Sequence, residues 1–373
     1  MRLIERLSAQ KKAITEIASI FVVSRLLILA MGYLSHLILR KERWYRVPSS
    51  VLDSFFIWDS QWYHSVAVNG YSYTPGKMSN VGFFPLYPLL VRAVSFITGN
   101  PKIVGFAISN IALLIAVIYF YRLIMHDLDD SSVASRAVFY LLVSPVSFFF
   151  SIFYTEGLFL ALAVSAFYYA KRRRWLVASV LGYFLSLTRS IGVLIMIPLL
   201  VELADIRSAT TKPAVRIRDV LYLLLIPAGL LTHMGYLYFR FNDALLYAHA
   251  QFSWCRYFTS FFDTLSNTEC YRAFDKTIYL GAVIVAALLI CYLLVNSKVR
   301  LSYVVYSALL LFVYLSSRLL EGMPRYVGIV FPLYLGMALL AERSRWMEYL
   351  LSIASIMLLS LFTALFVNGY VMN

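Results

Sequence analysis

The 373-residue sequence predicts an all-α polytopic membrane protein, a bundle of about 10–11 transmembrane helices whose first outer loop carries short amphipathic helices. Two observations dominate. The chain is 61% hydrophobic and 14% charged, with a mean hydropathy of +0.76, whereas soluble domains are roughly 45–50% apolar and about 25% charged. Apolar blocks near the ~20 residues needed to cross a bilayer also recur from residue 13 to residue 368 without a long polar interval. A third observation sets orientation: Lys and Arg gather in short runs between these blocks, as cytoplasmic loops require. That distribution assigns the net charge of +14 to membrane topology and gives no reason to invoke nucleic acid. Residues 1–373 are expected to form a single membrane domain, with a first outer region at 40–103 and a second large outer loop at 241–276.

The opening MRLIERLSAQKK leads into an apolar block at 13–39 that lacks a small-residue cleavage site, so it reads as a retained anchor rather than a signal peptide. Simple spans are expected at 104–125, 133–152, 157–170, 218–240, 277–296, 300–317, 325–341 and 346–368. Segment 174–203 is flanked by KRRR at 171–174 and by the basic stretch from Arg207 to Arg218, so it needs an even number of crossings. Two short helices meeting at Thr188-Arg189-Ser190 supply them and put Arg189 at the outer face. A single span would instead hold Arg189 at mid-bilayer, at about 2.5–3.5 kcal/mol or more.

The segment FFPLYPLLVRAVSFITG at 83–99 is short and carries two prolines and Arg92, which favours a helix lying along the interface, the alternative being a span that would put Glu156 on the inner side. With that parity the N-terminus, KRRR, Arg207–Arg218, Lys298–Arg300 and Arg343–Arg345 are all cytoplasmic. The outer side then holds 40–103, the corner Tyr154-Thr155-Glu156, the corner at Arg189, 241–276, and Arg318 to Arg325. Cys291 lies in an apolar run, while Cys255 and Cys270 share the second loop, which leaves a disulfide between them open. There are no internal repeats of the kind that build many transporters.

These outer places hold the polar groups that charge bias does not explain. Asp59 lies in FFIWDSQWYHSVAVNGY, where Phe55, Trp58, Trp62 and Val66 recur at helical spacing and Tyr63 is one turn away. The tryptophans fit an interfacial aromatic belt, but a belt gains nothing from a carboxylate beside it, so Asp59 is a candidate general base. Glu156 interrupts an apolar run at a helix corner; an acid at membrane depth is functional by default, the alternative being a helix-terminal acid that favours the dipole. Arg189, Arg318 and Arg325 offer planar, bidentate donors suited to phosphate, the alternative being helix-end arginines reaching for headgroups. Pro324 beside Arg325 suggests a shaped re-entry of the chain.

Gln251 and Trp254, in YAHAQFSW, are candidates to hydrogen-bond and stack on a sugar. His64, His233 and His249 have no accompanying acid spacing, and HExxH, paired CxxC, P-loop and GxGxxG motifs are missing. Metal-independent chemistry without a cofactor is therefore expected. A lipid-phosphate-linked donor suits these parts, because phosphate is a good leaving group and one carboxylate then suffices to deprotonate an acceptor hydroxyl.

Trp58-Asp59, Tyr63, Ala67 and Gly70-Tyr71, followed by Phe83-Phe84-Pro85-Leu86-Tyr87-Pro88, resemble the first-loop signature of the PIG-V family of mannosyltransferases (GPI mannosyltransferase II-like), within the GT-C superfamily. Further matches follow in the family's order: Tyr154-Thr155-Glu156, Thr188-Arg189-Ser190 with Gly192, Gln251 with Trp254, and Pro324-Arg325-Tyr326 with Phe331-Pro332. Each is weak alone, and together they run in register from residue 58 to residue 332.

The resemblance implies a GT-C membrane fold, a polyprenyl- or dolichyl-phosphate mannose donor, and a glycolipid acceptor presented at the non-cytoplasmic face. It implies Asp59 as the base of an inverting displacement, with Asp53 as a second acid of lower rank. Arg325, Arg189 and Arg318 would hold the donor phosphate, and Trp58, Tyr63, Glu156, Gln251, Trp254 and Tyr326 would contact substrate. The membrane would be the endoplasmic reticulum in a eukaryote and the plasma membrane in a prokaryote, with a small accessory subunit as a conceivable partner. The competing readings are a GT-C enzyme using another sugar or a protein acceptor and, from another class, a transporter or lipid flippase.

Overall fold

The computed structural model describes residues 2–41, 48–204, 216–267 and 271–370, with side chains from residue 15 onward. Every regular element among them is a helix. Five stretches are long and apolar enough to cross a membrane: Thr15–Ile38 within α1 (Arg2–Ile38), α5 (Pro101–Leu128), Ile217–Phe241, α14 (Ala273–Val295) and α18 (Arg345–Val367). The stretch Ile217–Phe241 is α10 (Ile217–Leu223) running into α11 (Leu225–Phe241). Their starts follow from local chemistry. The Asn100 side chain accepts from the Ile103 N–H with Pro101 in the first turn of α5, and the Ser344 hydroxyl accepts from the Met347 N–H at the head of α18.

The remaining expected spans are shorter helices than the sequence suggests: α6 (Ser131–Leu142), α7 (Glu156–Lys171), α8 (Trp175–Ser186), α9 (Met196–Ala204), α15 (Leu301–Leu315) and α17 (Pro332–Ala341). Each lacks turns at the same end of the bundle, where irregular segments take their place. The expected span 133–152 stops at Leu142 because Pro145 pushes the preceding residues out of helical geometry. The carbonyls left over at that break are met by Arg25 of α1. Its guanidinium donates to the carbonyls of Leu142 (2.8 Å) and Ser147 (3.0 Å) and to the hydroxyl of Ser151 (2.7 Å). Likewise 325–341 is broken, with α16 (Met323–Gly328) separated from α17 at Pro332.

The segment 174–203 is a hairpin, as the charge bias requires. At the far end of the bundle Lys171 lies 2.7 Å from Glu202 and 3.7 Å from Asp127, while Ser302 donates to Glu202 (2.8 Å). The ends of α5, α7 and α9 and the start of α15 therefore meet there, so α8 leaves that end and α9 returns to it. The reversal needs Gly192: any Cβ at this position would collide with the Leu185 carbonyl.

Residues 48–100 fold as α2 (Val51–Ser54), α3 (Asp59–Asn69), a 3₁₀ turn at Asn80–Gly82 and α4 (Leu86–Thr98). The helix expected around Asp59 begins only at Asp59, so Phe55 and Trp58 stand in the bend before it. At 1.5 Å per residue α4 reaches about 20 Å, short of the ~30 Å hydrocarbon core. Its outward face carries Phe96 and Ile97, 92% and 85% exposed, as suits a helix resting on a bilayer surface.

Between α11 and α14 the chain forms α12 (Leu246–His249), a 3₁₀ turn at Ala250–Trp254 and α13 (Phe261–Ser266). The Thr259 N–H donates to the Ser316 carbonyl (3.0 Å) and ties this loop to the segment before α16. Cys255 is exposed and Cys270 lies outside the described residues, as does Arg207. In the core α5 packs along α7, α7 along α8, and α8 along α11, while α6 meets α17 and α1 meets α18.

Candidate active site

The broken helix ends converge on one group of charges. Asp59 is the first residue of α3, Glu156 the first of α7, Arg189 stands at the α8–α9 reversal, and Arg325 lies in α16. Arg325 Nη1 is 2.7 Å from Asp59 Oδ2, and its Nε is 3.4 Å from Glu156 Oε1. The same Glu156 oxygen accepts from Arg189 Nη1 at 2.5 Å. The Glu156 and Arg325 side chains are 1% and 6% exposed, Arg189 is 14% exposed and Asp59 20% exposed, so access to the group is through Asp59.

Local structure explains these positions. Phe55, Phe56 and Ile57 are buried and anchor the bend before α3. Trp58 completes it at φ 57, ψ −126, a strained backbone for a non-glycine residue costing about 1–3 kcal/mol. The bend aims the Asp59 N–H at the Tyr154 hydroxyl, 3.1 Å away. Glu156 is seated by its neighbour: a Cβ at Gly157 would come within 2.7 Å of the Phe150 carbonyl and 2.8 Å of that of Ser109, so only glycine lets α7 start so close to α5.

Two oxygens at the centre are unused. Asp59 Oδ1 and Glu156 Oε2 have no hydrogen-bond partner among the described residues. Each acid is thus held by one oxygen and free at the other, the arrangement a base or an orienting group needs.

Aromatic rings wall the group. Arg325 lies 5.3 Å from the Tyr154 ring centroid and 5.1 Å from that of Tyr326, while Arg189 is 5.5 Å from Tyr326. Tyr326 stacks on Tyr314 at 4.3 Å and 6°. Tyr63 bonds the Thr155 hydroxyl at 3.2 Å and is pushed up to about 12, chiefly by burial.

The sequence candidates divide. Asp59, Glu156, Arg189, Arg325 and Tyr326 meet directly, with Trp58 and Tyr63 beside them. Gln251 and Trp254 sit against the first loop. Trp254 is edge-on to Trp62 at 5.2 Å and Gln251 Nε2 closes on Gly82, while Trp62 stacks with Phe83 at 5.9 Å and 12°. The Trp254 indole N–H is buried without a partner among the described residues. Arg318 is not in the charge group; it lies 4.8 Å from the Tyr257 ring. Asp53 is also apart, paired with Lys102 at 3.0 Å where both side chains are 46% exposed.

Sequence reasoning missed Arg256, which donates to the Glu321 carbonyl (2.8 Å), and Glu321 itself, whose carboxyl burial pushes up. Their only signal was position, Arg256 two residues after Trp254 and Glu321 between Arg318 and Arg325. Among the described residues no group of three or more His, Cys, Asp or Glu side chains gathers as metal ligands.

A helical bundle whose broken helix ends gather acids and guanidiniums on one face has the architecture of the GT-C membrane glycosyltransferases. The Archaeoglobus fulgidus oligosaccharyltransferase in its apo form superposes with a TM-score of 0.52 at 11% identity, over 93% of this chain and 56% of that one. The same enzyme in complex with zinc and sulfate gives 0.49 at 12% identity, over 94% and 53%. At these identities the likeness is one of fold, and the chain spans about half the length of those enzymes. Within that class the chain belongs to the mannosyltransferase (PIG-V) family, whose profile matches residues 45–259. No curated protein matches it in sequence.

Proposed function

We propose that this protein transfers mannose from a polyprenyl- or dolichyl-phosphate-linked donor to a glycolipid acceptor, by a single inverting displacement at the non-cytoplasmic face. The observation that carries the reading is Asp59, gripped through one oxygen by Arg325, unengaged at the other, and the most exposed member of the charge group. Asp59 takes the proton of an acceptor hydroxyl, whose oxygen attacks the anomeric carbon. The bond from that carbon to the phosphate oxygen breaks, and its electron pair leaves with the lipid phosphate. Arg325 aims Asp59, and with Arg189 it borders the place where charge develops on the phosphate.

Glu156, through its free oxygen, orients a sugar hydroxyl. Trp254 offers an indole N–H, and the Trp62–Phe83 stack offers an apolar platform for a sugar ring. The reaction needs no general acid because phosphate leaves as an anion, and the acids present are held by guanidiniums, which supports metal independence. The basic clusters around Lys171–Arg174, Lys298–Arg300 and Arg343–Arg345 lie at the end of the bundle away from Asp59, which supports a non-cytoplasmic site. The membrane is then the endoplasmic reticulum in a eukaryote or the plasma membrane in a prokaryote.

Membranes containing the protein, given radiolabelled polyprenyl-phosphate mannose, are expected to label a lipid product. Label found only in protein would sink the glycolipid acceptor. Activity abolished by EDTA and restored by manganese or magnesium would overturn metal independence.

A further inference from the structure

A guanidinium already paired with a carboxylate has little charge left for a phosphate. At the centre of the site Arg325 is spent on Asp59 and Glu156, and Arg189 on Glu156, so two cations face two anions. A lipid phosphodiester carries one negative charge and leaves as a monoester carrying up to two. The site as described by those four residues has no net positive charge to receive it.

Arg256 is the guanidinium of this neighbourhood that no carboxylate grips. It reaches the site from the second large loop and stands 5.6 Å from the Tyr326 ring centroid, the ring that Arg189 and Arg325 also flank. Its one hydrogen-bonded side-chain partner is neutral, the Glu321 carbonyl at 2.8 Å, and no carboxylate lies within ion-pair distance of it among the described residues. Its backbone is fixed as well. Cys255 turns the chain at φ 55, and the Arg256 N–H closes the turn on the Gln251 carbonyl at 3.0 Å. The Glu321 carboxyl is near enough for Arg256 to oppose the upward push of its burial, but it does not grip the guanidinium, which stays preorganised and half-buried with N–H donors open to an anion.

We infer that Arg256 is the residue that binds the lipid phosphate, both in the sugar-linked donor and, more tightly, in the phosphomonoester product. This rests on the transfer reaction proposed above. As the bond between anomeric carbon and phosphate oxygen breaks, the electron pair passes to that oxygen and the acceptor's proton to Asp59. The added negative charge then appears beside the guanidinium that no carboxylate grips, so Arg256 stabilises the departing group more than the intact donor.

The test compares wild type, R256Q and R256K for kcat/KM toward polyprenyl-phosphate mannose and for inhibition by polyprenyl phosphate against neutral polyprenol. In R256Q kcat/KM is expected to fall roughly a hundredfold and the inhibition constant for polyprenyl phosphate to rise at least about tenfold. R256K is expected to recover part of both, with the acceptor KM unmoved. R256Q with the wild-type inhibition constant would overturn the assignment.

Should R256Q fail to fold, wild-type protein is treated with phenylglyoxal and mapped by mass spectrometry. Polyprenyl phosphate is expected to protect Arg256 and polyprenol is not; equal modification with both would also overturn it. Wild-type membranes inert toward the mannose donor, yet with Arg256 protected by polyprenyl phosphate, would retire the mannose reading and leave the phosphate site standing.

Discussion

At one end of the bundle Lys171 joins Asp127 to Glu202; at the other Arg325 joins Asp59 to Glu156. Both clusters set one buried cation between two acids from distant helices. In the first, every carboxylate oxygen is engaged: Asp127 by Lys171 and the Tyr303 hydroxyl, Glu202 by Lys171 and the Ser302 hydroxyl. In the second, one oxygen of each acid is idle, and the backbone at Trp58 is strained. A cluster with every carboxylate oxygen engaged serves to hold helices together, whereas one with idle oxygens keeps them for a visitor. Charge and burial alike are poor guides to function here; the count of unused oxygens separates the two.

The comparison breaks most visibly at Asp59. D59N is expected to lower transfer by about a thousandfold, within the range for loss of a general base, while polyprenyl phosphate still inhibits. Initial rates with the labelled donor decide this, and unchanged turnover would remove Asp59 from the role of base. K171M is the mirror experiment. It leaves Asp127 and Glu202 buried without their cation and is expected to cost about 3–5 kcal/mol of stability, seen as faster thermal inactivation in detergent, with kcat per folded molecule retained. A kcat loss without a stability loss would show the far cluster to be more than a clamp.

A smaller effect is expected at Glu321. Burial raises its folded pKa above the unfolded value, so its ionisation disfavours the folded state as pH rises past the ordinary carboxylate range. E321Q should therefore melt above wild type near neutral pH, and the difference should close on acidification toward about pH 4. Equal or lower melting at neutral pH would mean that the charge of Arg256 outweighs burial. The smallest effect belongs to D53N, which removes only an exposed pair with Lys102; transfer is expected to stay within about threefold of wild type, and a large loss would move the base to Asp53.

Much of this was legible in the sequence. Charge bias alone requires the reversal at Arg189, and the Lys171–Glu202 contact has that geometry. Asp59, Glu156 and Arg325 stood out because acids and arginines between apolar blocks are costly to keep. Helix lengths were less legible. Apolarity continues through residues 143–155 and 326–331, and Pro145, Pro324 and Pro332 are what hint that the helix does not. Trp58 could not have been read as a turn residue, since its φ is imposed by the burial of Phe55, Phe56 and Ile57 around it. Arg256 was hidden for a different reason. It looks like any loop cation until the other guanidiniums are found to be paired.

The Asp59–Arg325 contact closes over 266 residues of sequence. During synthesis the chain emerges from its N-terminus, so Asp59 and Glu156 exist, and have entered or passed the bilayer, well before Arg325 is made. A newborn chain halted anywhere short of α16 carries both acids without their shared cation. Loops separated by most of the protein must then find each other late, with a high entropic threshold for closure. The charge group is thus complete only once α16 has been made.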